Sequence, residues 1–182
     1  MIEIIDRFAS FTARAALWLG AALLLLMAFH ITADVVMRNL LNRPIAGTLE
    51  VGTYYYMVAA SFLALGYGQM RDHNVSVDIL IYSAPTRVRM LVEMLALAIS
   101  LLYAVVFTYA STITAVEKTQ RGEFTLTQYF NLPLWPSRWI LVVSGAIFAL
   151  VLLAQLLRLG VALARGEDRK IVNLVGNQAE GA

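Results

Sequence analysis

His30, Asp34 and Arg38 recur every four residues, which on a helix sets an imidazole, a carboxylate and a guanidinium on one face. Such a column can relay a proton or hold an ion. It can equally satisfy itself, because Asp four residues before Arg is a favourable pair, and then presents a polar stripe to a neighbouring helix. The other histidine, His73, precedes Asp78, and no second imidazole lies near enough in sequence to build a metal site. Capping or fixing a loop suits His73 and Asp78 better. Cysteine is absent, which removes disulfides, thiolate metal sites and cysteine nucleophiles. There is no Walker loop, no G-x-G-x-x-G turn, no G-x-S-x-G elbow and no H-E-x-x-H helix, so the sequence argues against an enzyme and offers no cofactor site.

The elements that must carry these residues are membrane spans. Of 182 residues, 60% are hydrophobic and 14% charged, against roughly 45–50% and about 25% in soluble proteins. The surplus apolar surface has to face lipid. At about 20 apolar residues per crossing of a ~30 Å hydrocarbon core, the chain makes one all-α integral membrane domain over residues 15–163, with four spans and short interfacial segments. The spans are expected at about 15–37, 50–68, 88–116 and 138–163. The net charge of +2 is small and the basic residues are scattered, which leaves nucleic-acid binding without a basis.

Residues 1–14 place Ile2, Ile5, Phe8 and Ala9 at helical spacing, the pattern of a short helix on the membrane surface or of an extension of the first span. The first span reads as retained and not as a cleaved signal peptide. Glu3 and Asp6 accompany Arg7 and Arg14 before it, its apolar run is too long, and no A-x-A site follows. Tyr54 to Tyr56, Trp135 and Trp139 suit the headgroup level, and Pro136 suits a first helical turn. Residues 75–83 alternate apolar and polar types, but a lone strand would leave its edges unpaired in lipid, so an interfacial segment is expected there. The connection between spans three and four, with Phe124, Leu126, Tyr129, Phe130 and Leu132, is also expected in the interface.

Small residues at Ala59, Ala60, Ser61 and Gly66, and at Ser144, Gly145, Ala146 and Ala149, allow close helix approach. Glu50 complements the dipole at the start of span two and is within reach of Arg38 across the first loop; Arg89 and Glu93 have the spacing of an intrahelical pair. Nine Lys and Arg residues fall on the side of the N-terminus, the second loop and the tail, and five on the other. That bias orients both termini, and the tail at 164–182, toward the cytoplasm. No internal repeat is evident, and the centres of spans two to four carry almost no ionisable group, which points to a scaffold for a site held elsewhere.

The order of landmarks resembles the DctQ family, the small membrane subunits of tripartite ATP-independent periplasmic (TRAP) transporters. Span one ends at Arg38-Asn39, followed by Asn42-Arg43-Pro44 and then Glu50 at the start of span two. Span two ends in Gly66 to Gly68 and Arg71, leading to His73, Val77-Asp78 and Pro85; Pro133-Leu134-Trp135 precedes the last span. The resemblance covers roughly residues 29–163. It implies a bacterial inner-membrane transporter driven by an ion gradient, usually sodium, that takes an organic acid or related solute from a periplasmic binding protein (DctP-like). The substrate and ion sites would lie in a large membrane subunit (DctM-like) that this chain buttresses. Rival readings are a redox membrane anchor, disfavoured because His30 and His73 fall near opposite surfaces, and a stand-alone channel or exporter.

Overall fold

The structure is a computed structural model that describes residues 2–71, 86–127 and 130–165. Helix α1 runs unbroken from Ile2 to Leu41. At 1.5 Å per residue its length is about 60 Å, twice the hydrocarbon thickness. Residues 2–14 are thus the N-terminal third of α1, the extension of the first span that their spacing also allowed. The physical reason lies in packing: Ala9 and Ala13 are buried against Val151 and Ala154, so the register of the first span continues through them.

The second apolar segment is helical in pieces, α2 (Thr48–Val51), a π-helical turn (Gly52–Tyr56), α3 (Met57–Leu63) and α4 (Leu65–Met70). In the π-turn the Met57 N–H reaches back to the Gly52 carbonyl, five residues away. Helix α5 (Thr86–Gln120) and helix α6 (Trp135–Arg165) are joined by an antiparallel hairpin of β1 (Phe124–Leu126) and β2 (Asn131–Pro133), in which Thr125 faces Leu132. Among the described residues three helices, α1, α5 and α6, are long and apolar enough to cross a membrane. The 50–68 segment contributes no single helix of that length because the π-turn and the turn at Ala64 divide it.

α6 is the hub of the bundle. It packs on α1, α3, α4 and α5, whereas α5 leans principally on α6 alone. Alanines dominate the buried positions: Ala16 and Ala59 meet Leu63, and Met90 of α5 meets Ala162 of α6. Lipid is as apolar as these side chains, so close backbone approach, and not transfer from water, holds the helices together. Large apolar side chains point outward instead, with Trp18, Leu25 and Phe29 each more than 70% exposed. Helix α5 ends on Gly122 at φ +61°, where the Glu123 N–H returns to the Lys118 carbonyl and closes the helix.

Candidate functional site, two clasps at opposite ends of the bundle

The hairpin end gathers most of the landmark residues. Asp34 is 5% exposed, and both its oxygens are used. Oδ2 accepts from Arg38 at 2.9 Å and Oδ1 accepts from the backbone N–H of Ile45 at 2.6 Å. The carboxylate thus ties the loop after α1 back onto α1. That loop leaves the helix through Asn42 at φ +51°, and Asn39 caps a carbonyl by donating to Val35 at 2.9 Å. Pro44 lies exposed in the loop, and Glu50 is half-buried at the start of the second segment. The expected reach of Glu50 to Arg38 is not formed: the ion pair of Arg38 is with Asp34, which needs no loop to close. His30 turns its Nδ1 to the Tyr56 hydroxyl at 3.3 Å, edge to ring, so the column joins α1 to the π-turn as a polar stripe.

The β-hairpin completes this clasp. Phe130 covers Gly47, whose φ of +82° and close ring leave no room for a side chain; a Cβ there would lie 2.6 Å from Phe130 Cζ. The Tyr55 hydroxyl donates to the carbonyl of Pro133 at 2.5 Å. Trp135 begins α6 and Pro136 follows in its first turn, as expected, while Trp139 donates from Nε1 to Thr119 at 3.0 Å across to α5. Glu123 sits between Lys118 at 3.3 Å and Arg138 at 3.5 Å.

The terminal end has a clasp that sequence reasoning missed. Asp6 of α1 forms an ion pair with Arg158 of α6. Gln69 and Gln155 exchange hydrogen bonds, side chain to side chain at 2.9 Å and Gln155 Nε2 to the Gln69 carbonyl at 3.0 Å. Arg71 folds onto Tyr67, with Nε donating to the hydroxyl at 3.0 Å. Gly66 is buried, and a Cβ on it would meet Ile147 at 2.9 Å. His73, Asp78 and Pro85 lie outside the described residues, as do residues 75–83 and the side chain of Arg89. Asp6 and Arg158 are 30% and 38% exposed, so the pair is worth about 1 kcal/mol. Arg158→Ala should lower stability by about that amount. The exchanged pair Asp6→Arg with Arg158→Asp should recover most of it in a thermal-unfolding cycle in detergent; an exchange no better than the single change would reject the pairing.

Two concave surfaces are mainly apolar, and a smaller one at the terminal end is lined by Asp6, Ser10, Gln155 and Arg158. Of the apolar two, one of about 380 Å³ lies between α1 and the π-turn, with Asp34 and Arg38 at its rim, and one of about 300 Å³ lies over Gly145 and Ala104. Among the described residues, no three His, Asp or Glu side chains come together in a way that would hold a metal ion. Both clasps hold helices and loops in place; neither presents an unpaired reactive group at a cavity.

Residues 27–160 match the family described as "Tripartite ATP-independent periplasmic transporters, DctQ component". The chain belongs to the DctQ family. It is a small subunit of a TRAP transporter, a membrane protein and a transporter component, and the DctQ family is not a family of enzymes. No curated protein and no solved structure gives a significant match. The DctQ match spans the whole hairpin-end clasp, and at the terminal end it takes in Gln69 and Arg158 but not Asp6.

Proposed function

We propose that this chain is the scaffold of a sodium-driven importer in the bacterial inner membrane, and that it works with a large permease subunit of the DctM type and a periplasmic solute-binding protein of the DctP type. The imported solute is an organic acid or a related compound. The reading is carried by the DctQ match over residues 27–160. It is supported by a bundle in which Asp6, Asp34, Arg38, Glu123, Arg138 and Arg158 are spent on clasps and whose packing faces are small. In this reading the 48–70 segment makes a fourth crossing, both termini face the cytoplasm, and the hairpin end faces the periplasm. A rigid clasp at each surface gives the moving part of the permease something fixed to travel against.

Reconstitution tests it. Vesicles holding the permease, with the binding protein and solute outside, should accumulate solute under an inward sodium gradient only when this chain is present. Uptake at the full rate without it would remove the scaffold role. Orientation has its own check, since the chain has no native cysteine. A thiol placed at Gly122 should react in whole cells with a membrane-impermeant maleimide, and one placed at Arg71 only after lysis. The reverse pattern would invert the topology.

A further inference from the structure

The outward face of α5 is built differently from the other lipid-facing surfaces. From Val88 to Val116 every position of a four-three repeat carries a large apolar side chain, including Leu95, Leu102, Val106 and Tyr109, and all are 38% to 69% exposed. This repeat lies opposite the stripe that seats α5 on α6, where Met90, Ala104 and Ala115 are buried. Its exposed surface comes to roughly 800 Å², about one partner's share of a standard interface.

Two tyrosines lie on this side of α5, Tyr109 within the repeat and Tyr103 next to Leu102. Tyr103 and Tyr109 are each 69% exposed and lie within four residues of Val105, the midpoint of the apolar stretch Met90–Gln120. That is about 6 Å along the axis at most. Helical side chains lean toward the N-terminus, so the Tyr109 ring leans away from the nearer surface. Among the described residues, neither hydroxyl has a hydrogen-bond partner; Tyr103 only stacks on Phe107. A tyrosine in contact with lipid belongs at the headgroups, where its hydroxyl finds water, and a bare hydroxyl in hydrocarbon is costly. By the same measure helix α1 carries one comparable side chain, Trp18, 74% exposed and four residues from Ala22, the midpoint of Glu3–Leu41, where α5 carries two; Thr32 is exposed but satisfied by the Ala28 carbonyl at 2.8 Å.

We infer that the α5 face centred on Leu102, Val106 and Tyr109 is the docking surface for a transmembrane helix of the large permease subunit, one that brings hydrogen-bond acceptors to the two tyrosine hydroxyls. The inference rests on the scaffold reading above and adds the face and the chemistry of the contact. A lipid tail has no acceptor to offer at this depth, whereas a helix with a small residue or an exposed carbonyl does.

The test uses the assembled complex. Single cysteines at Leu102 and Val106, and controls at Leu25 and Phe29 on α1, are charged with a photoactivatable maleimide after co-expression with the permease. The expected product joins this chain to the permease from the α5 sites and not from the α1 sites. Tyr103→Phe with Tyr109→Phe should lower the permease retained in a detergent pull-down about three- to tenfold, while the melting temperature of the isolated chain stays unchanged. A product of twice the chain's own mass would assign the face to a second copy and overturn the inference. Silence at α5 in a complex that still co-purifies would overturn it too, with the scaffold reading intact. Failure of the two chains to co-purify at all would take both down.

Discussion

Leucine at position 145 should unseat α5 from α6 and cost about 3 kcal/mol or more, at or beyond the upper end of ordinary overpacking. A Cβ on Gly145 would stand 2.6 Å from Thr108 Oγ1 and 3.6 Å from Thr108 Cβ, so even a methyl group clashes while that hydroxyl keeps its place. Thr108 is held there by its own bond to the Ala104 carbonyl at 2.7 Å, and next to Gly145 the buried Ser144 hydroxyl bonds back to Ile140 at 2.7 Å. Because α5 leans principally on α6, no other helix can keep it in place once that seam opens. Gly145→Ala should show a smaller loss, about 1–2 kcal/mol, since the gain of up to about 1 kcal/mol in helix propensity opposes the clash. Adding Thr108→Ala to Gly145→Ala removes the obstructing hydroxyl and should restore stability to the starting value or above it. Unfolding of the purified chain in detergent reads all three. An unrescued double variant would show that the seam is limited by something other than Thr108.

Gly145 also shows how far the residues alone can lead. A run of small side chains in span four announces close approach, but many spans carry such runs, and the partner that crowds this glycine lies 37 positions away on α5. The same run includes Ala146, which is exposed, so smallness did not tell the packed positions from the outward ones. The polar column was legible because its members are helical neighbours: Asp34 and Arg38 pair as their spacing dictates. What spacing could not supply was the backbone N–H of Ile45, which any residue type provides and no pattern marks. Asp6 and Arg158 are 152 positions apart, and only the register of α1 on α6 brings them together. The hairpin escaped for a different reason. Its strands are three residues long, too short for alternation to register, and they exist because the chain must turn from α5 into α6 with its polar backbone groups satisfied.

Removing the Asp34 carboxylate should cost about 2–4 kcal/mol, and removing its partner Arg38 less than about 1 kcal/mol. The inequality follows from where each group sits. The Arg38 side chain is 60% exposed, so its half of the ion pair is screened and rehydrates when the carboxylate is lost. Asp34 has a 7% exposed side chain, and its second oxygen receives the Ile45 N–H at 2.6 Å, a charge-assisted bond that leaves a part-buried backbone donor unpaired when broken. Asp34→Ala therefore acts on the loop more than on the ion pair. With Ile45 released, Gly47 and Thr48 lose their seat, Phe130 loses the surface it covers, and the β-hairpin end loosens as a unit. Asp34→Asn keeps an acceptor for Ile45 and should fall between the two. Amide hydrogen exchange at Ile45 is the direct reading: fast in Asp34→Ala, slow in Asp34→Asn and in Arg38→Ala. Equal losses of stability from Asp34→Ala and Arg38→Ala would mean that the ion pair, and not the tether to the loop, is what the carboxylate provides.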